Sequence, residues 1–118
     1  MSSVPSKELV VKPNPKKERR YRVNISSPEF TCLCPMTGQP DFATIYISYE
    51  PAEYILELKS LKLYLWTFRE EGCFHEAVIN QICDDLVDVL KPHWLEVKGD
   101  FLVRGGISTN VVAEYKEP

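Results

Sequence analysis

The hydrophobic period of the chain changes twice, and this limits its fold more than any other feature. Between Asp41 and Tyr49 the residues alternate, Ala43, Ile45, Ile47 and Tyr49 against Phe42, Thr44, Tyr46 and Ser48. A period of two belongs to a strand with one buried face. Upstream, Arg22-Val-Asn-Ile25 begins a strand that Phe30 to Cys34 continues after the turn-like Ser26-Ser-Pro-Glu29. Glu50-Pro-Ala-Glu53 interrupts the alternation, and Tyr54 to Leu58 reads as extended again. From Ser60 the period becomes helical. Leu61, Leu65 and Phe68 share one face, with Ser60 as the expected cap and Gly72 as the expected end. A longer helix is expected from about Phe74 to Leu90, burying Val78, Ile82, Leu86 and Val89 and stopped by Lys91-Pro92. Alternation returns from His93 to Val103 and from Ser108 to Tyr115. The order β-β-α-α-β-β describes an α+β domain with an antiparallel sheet.

A chain of 118 residues suits one such domain with one modest core. That size leaves little room for a deep, self-contained pocket, so a site between subunits is an open alternative. No run of about 18 apolar residues is present, so no transmembrane helix is expected. The first residues lack the apolar core of a signal peptide, and a cytoplasmic location is expected. Cys32, Cys34, Cys73 and Cys83 then read as free thiols, at least one of them available for chemistry.

Charge divides the chain. Residues 1–22 hold seven Lys or Arg and two acids, a balance of +5, while the remainder carries −8. With Pro5, Pro13 and Pro15, residues 1–19 read as an extended basic arm and 20–118 as the folded domain. The arm suits nucleic acid, a solvated tail, or a strap over an acidic neighbour. The acidic domain itself argues against a broad phosphate-binding face.

Cys34-Pro-Met-Thr-Gly-Gln-Pro-Asp41 joins the first strand to the second, with a thiol and a carboxylate at its two ends. Cysteine attacks as thiolate, and a nearby carboxylate can take its proton and return it as general acid. Taken alone, Cys34 reads more readily as a small buried hydrophobe. Cys32 and Cys34 form a Cys-x-Cys pair that His75 and His93 could complete as a zinc site, although this spacing is not a strong zinc signature. Lys59 and Lys62 stand three apart at a helix start, where phosphate can be received or lysines merely solvated. Glu76 opens the second helix, either as an ordinary helix-start acid or as an acceptor for a guanine-like edge. Arg104 precedes a Gly-Gly turn, free to meet phosphate or carboxylate. Neither Gly-x-Gly-x-x-Gly nor a βαβ pattern is present, which excludes a Rossmann nucleotide site.

Four segments together resemble one family: Phe30 to Ala43, Glu57-Leu-Lys-Ser-Leu-Lys-Leu-Tyr64, Phe74-His-Glu76 and Arg104-Gly-Gly-Ile107. They are similar to the short, unimodular form of QueF, the NADPH-dependent 7-cyano-7-deazaguanine reductases of queuosine biosynthesis, a tRNA-modification pathway. The likeness runs from about residue 20 to residue 108. It implies the tunnelling fold, in which β-β-α-α-β-β units join their sheets into a barrel, here a homodecamer of two pentamers with active sites at subunit interfaces. It also implies a nitrile reductase turning 7-cyano-7-deazaguanine (preQ0) into 7-aminomethyl-7-deazaguanine (preQ1). Cys34 would form a covalent thioimide, and Asp41 would be the general acid-base group. Glu76, His75, Glu57 and Ser60 would bind substrate, and Lys59, Lys62 and Arg104 would meet NADPH, with no metal and no stable nucleic-acid binding. Val78 stands where some members carry a second cysteine able to pair with the nucleophile. Two rivals remain at this point: a zinc-dependent GTP cyclohydrolase I-like enzyme of the same fold, and a non-enzymatic RNA-binding ring that uses the arm.

Overall fold

The computed structural model describes residues 4–118, so residues 1–3 of the expected arm lie outside the described residues. Six strands and two helices follow in order: β1 (Val11–Pro13), β2 (Val23–Leu33), β3 (Pro40–Glu50), β4 (Tyr54–Leu56), α1 (Leu58–Trp66), α2 (His75–Leu90), β5 (Trp94–Arg104) and β6 (Ile107–Lys116). A short 3-10 turn, Thr67–Glu70, extends α1. The main sheet is antiparallel with order β2-β3-β5-β6, and β1 pairs with β4 in a separate two-stranded ribbon.

The alternation read from Asp41 to Tyr49 is realised in β3, whose Ala43, Ile45, Ile47 and Tyr49 are buried. Leu95, Val97 and Phe101 of β5 join them, and α2 closes this face with Val78, Ile79, Ile82, Cys83, Leu86 and Leu90. The buried stripe of α2 ends on Leu90, while Val89 is only partly buried. Gly99 of β5 lies under α2, where a Cβ would stand 2.5 Å from Ile79 Cδ1. Close approach of helix to sheet therefore requires glycine there. The other face of β3 shows Phe42 and Tyr46 to solvent.

Two departures from the sequence expectation have physical causes. Ser26-Ser-Pro-Glu29 is no turn: β2 runs through it as one strand, and the register slips by one residue between Ser27 and Phe30. This bulge absorbs the proline and moves the buried positions from odd to even numbers, so Phe30 and Cys32 face the core. Glu57, not Ser60, caps α1, its carboxylate accepting from the N–H groups of Lys59 and Ser60. Ser60 is buried inside the first turn, and the α-helix ends at Trp66 rather than near Gly72.

Described arm residues lie on the domain itself. Val11, Lys12 and Pro13 pair with Leu56, Ile55 and Tyr54. Ser60 Oγ accepts from Val10 N–H at 3.0 Å, and Glu57 N–H donates to Val10 C=O at 2.9 Å. Buried Asn14 bonds Ala52 C=O and accepts from Tyr21 OH and Lys16 N–H, so all its polar groups are satisfied. Lys7 lies over the Phe68 ring and pairs with Glu71. Among the described residues no helix is long and apolar enough to cross a membrane.

Candidate active site

Four of the residues singled out from the sequence meet where β2, β3, α2 and β5 end. Cys32 and Asp41 are opposite partners in the β2–β3 ladder, which puts the Cys34 loop and the Asp41 carboxylate on one sheet edge. The loop is closed by its own backbone: Gly38 N–H donates to Cys34 C=O, and Cys34 N–H donates to Gln39 C=O, both at 2.8 Å. Gly38 turns with φ of 73°, a left-handed conformation that glycine adopts without strain. Closure turns Thr37 and the N–H groups of Met36 and Thr37 back on the thiol. The Thr37 hydroxyl, then these two N–H groups, hold the Cys34 thiol below the ordinary cysteine range. Burial and the charge of Asp41 work in the opposite direction.

Asp41 is bracketed. His75 Nε2 lies 3.3 Å from Oδ2, and Arg104 Nη1 lies 3.4 Å from Oδ1. His75 enters from the first residue of α2 and is stacked on Phe101, ring centroids 3.7 Å apart and planes 5° off parallel. Arg104 also donates to the Gln39 side chain and to Pro40 C=O. Glu76 follows His75 in the same turn and is exposed.

Cys73 sits behind this group. Gly72 bridges Leu33 in parallel, and Leu33 N–H and C=O bond Glu71 and Cys73. Pairing with Cys73, then burial, pushes the Cys32 thiol up and keeps it protonated, while the same pairing lowers the Cys73 thiol. All four cysteines are free.

The remaining singled-out residues lie elsewhere in the protomer. Glu57 and Ser60 spend their polar atoms on the α1 cap and on Val10. Lys62 borders a groove of about 500 Å³ between α1 and β2, with Leu58, Leu61, Leu65, Trp66 and Arg69. Lys59 is exposed one residue into α1. The zinc alternative is not assembled: His93 pairs with Glu117 at 2.8 Å near the start of β5, while His75 stands at its far end. Among the described residues no three His, Cys, Asp or Glu side chains are placed to share a metal ion. Sequence reading missed Thr37, Gln39 and Phe101. Only Thr37 carried a local signal, a hydroxyl three residues beyond a thiol in a glycine turn.

The model of the QueF-like protein family matches residues 40–118. A relative from Anaeromyxobacter dehalogenans (strain 2CP-C), named NADPH-dependent 7-cyano-7-deazaguanine reductase, is 62% identical over 99% of this chain and 96% of its own. The chain belongs to the QueF-like family. A reductase of the same name from Alkalilimnicola ehrlichii is 57% identical across 100% of this chain and 92% of its own. Among solved structures, the apo archaeosine synthase QueF-Like superposes with a TM-score of 0.72 over 84% of this chain and 95% of that one. At 18% identity that likeness concerns the fold. The family match begins at Pro40 and so takes in Asp41, α1, the start of α2 and Arg104.

A test of the loop follows from its geometry. Thr37→Val removes the hydroxyl while keeping the side-chain volume. The pH midpoint for alkylation of Cys34 by iodoacetamide should move upward, because the thiolate loses the Thr37 hydroxyl that stabilises it. Thr37→Ser should restore it. An unmoved midpoint would assign the lowering to the backbone N–H groups alone.

Proposed function

We infer that this chain is an NADPH-dependent 7-cyano-7-deazaguanine reductase, turning the nitrile of preQ0 into the aminomethyl group of preQ1 for queuosine biosynthesis. The observation that carries this reading is a thiol held low in pKa by the Thr37 loop, on the same sheet edge as a carboxylate that can take and return protons. Cys34 thiolate adds to the nitrile carbon: a C–S bond forms, one C–N π bond breaks, and nitrogen takes a proton to give a thioimide. Asp41 takes the proton of Cys34 and supplies the one that nitrogen needs. NADPH, when bound, supplies a hydride in each of two reductions. Asp41, reprotonated from solvent after thioimide formation, supplies the further proton that nitrogen needs, and breaking the C–S bond returns Cys34 to its loop as thiolate.

His75 and Glu76 are suited to the deazaguanine edge, a ring nitrogen donor beside an acceptor carboxylate in one helical turn. Glu57 and Ser60 enter by fixing the start of α1, since their side-chain groups are engaged within the chain. The groove between α1 and β2 fits the cofactor class: Lys62 and Arg69 offer cations to phosphate over an apolar floor that includes Trp66. Lys59 adds a third charge at the helix start, while Arg104, which the resemblance also assigns to the cofactor, stands at Asp41 in this protomer.

We further propose that sites are completed between subunits, in a homodecamer of two pentamers. Among the described residues β6, and β2 apart from its Leu33 end, present the open edges of the main sheet, a state that edge-to-edge closure removes. Met36, Leu102, Val103 and Ile107, each at least 65% exposed, surround the site and suit cover by a second copy. Four free thiols fit a reducing cytoplasm. The decisive experiment is mass spectrometry after incubation with preQ0 and no cofactor. A shift by the mass of preQ0, mapped to Cys34, is expected; an unmodified protein would overturn the thioimide route.

A further inference from the structure

Arg104 reaches Asp41 only because β5 breaks its own alternation. Residues that face α2 from β5 are Leu95, Val97, Gly99 and Phe101, all odd-numbered. In a regular strand Arg104 would point to the opposite face, away from Asp41, which lies on the buried side of β3 with Ala43. The β5–β6 register, however, passes from Phe101↔Thr109 to Arg104↔Ile107, so one extra residue is inserted between them. A bulge of this kind re-aims the side chains that follow it. The Gly105-Gly106 turn, with φ of 61° and 80°, closes the hairpin immediately beyond.

The re-aimed guanidinium spans three consecutive residues. Nη1 meets Gln39 Oε1 at 3.3 Å and Asp41 Oδ1 at 3.4 Å, and Nη2 takes the Pro40 carbonyl. His75 holds the other carboxylate oxygen and is itself braced by Phe101. The charged and titratable groups around Asp41 are thus Arg104 from β5, His75 from α2, Cys32 from β2, Cys34 from the loop and Cys73 from the segment before α2.

We propose that Arg104 is a positioning residue for Asp41, a planar fork that fixes the carboxylate relative to the Cys34 loop before any cofactor arrives. This rests on the reductase reading and adds to it, because the family likeness assigns the same arginine to NADPH. One oxygen of Asp41 is fixed by Arg104 and the other by His75, so the carboxylate keeps one orientation toward the thiol and the nitrile nitrogen. The role belongs to the half-reaction that proceeds without NADPH. A cofactor contact alone would leave that step untouched.

Two rates measured on the same cofactor-free protein separate the possibilities. Iodoacetamide needs only the Cys34 thiolate, whereas addition to preQ0 also needs a placed proton carrier. Arg104→Gln should slow thioimide formation about 10-fold to 100-fold, the scale of a catalytic group displaced by an ångström, with alkylation within about twofold of the parent. Arg104→Lys keeps the charge but cannot span Gln39, Pro40 and Asp41, and should recover less than half of the loss. An unchanged thioimide rate with only a raised KM for NADPH would overturn the proposal. So would full recovery by lysine, or equal loss of both rates with a lowered melting temperature, which would mean a collapsed loop. Absence of adduct in the parent protein would refute the reductase reading instead.

Discussion

Cys34→Ala should abolish turnover, by about 10⁴-fold or more, because the proposed reduction begins with a bond from that sulfur to the nitrile carbon. The mass shift with preQ0 should vanish with it. Binding of preQ0 should survive, since Glu76 and His75 come from α2 and do not depend on the thiol. The melting temperature should stay near that of the parent: the loop is held by Gly38 N–H to Cys34 C=O and by Cys34 N–H to Gln39 C=O, backbone bonds that alanine keeps. Cys34→Ser should be inactive too, because a serine hydroxyl lies far from ionisation in the same pair of N–H groups. Cys32 and Cys73 make the variant informative. They are neighbouring thiols, but Cys32 is buried and its thiol is held in the protonated form beside Cys73. An adduct in Cys34→Ala that maps to Cys73 would remove Cys34 as nucleophile.

Strands and helices were legible because their buried residues repeat at fixed periods. Ala43, Ile45, Ile47 and Tyr49 mark β3, and Val78, Ile82 and Leu86 mark α2, whatever lies beside them. What periodicity hides is the bulge. At Ser27–Phe30 an extra residue looks like a turn, because serine, proline and glutamate also compose turns. At Phe101–Arg104 it leaves no local sign, since alternation has nothing to repeat beyond a hairpin tip. Short β1 escaped as well: three residues in a basic, proline-bearing segment gain their order from pairing with β4 and from Ser60, both distant in sequence.

The candidate site divides along the same line. Cys34 and Asp41 are linked by one loop, so their convergence was readable from spacing. Glu76 and the lysines of α1 were readable as helix-start groups open to a guanine-like edge or to phosphate, and family likeness added the substrate role of His75 beside them. Arg104 was readable only as a cation beside a turn, because its contact with Asp41 depends on the stagger of β5 against β6. Ser60 was read as a ligand-binding or capping group from its place in the motif. Within the protomer its hydroxyl ties Val10 to α1, a contact set by an arm fifty residues away and so hidden from the motif.

Asp41→Asn should lower turnover about 10²-fold to 10⁴-fold while binding of preQ0 changes little. The amide fills the same volume and keeps an oxygen for Arg104, but it neither takes the thiol proton nor delivers one to nitrogen. The alternative explanation, that the substitution merely weakens the nucleophile, predicts the wrong sign for a second measurement. The Asp41 charge raises the Cys34 thiol, so its removal should let Cys34 ionise more easily. The pH midpoint of Cys34 alkylation should therefore move downward in Asp41→Asn. A better-ionised thiol with far slower thioimide formation isolates the missing proton carrier as the cause. Turnover equal to the parent would remove Asp41 from the mechanism, and an upward midpoint would mean that the loop, rather than the charge, has changed.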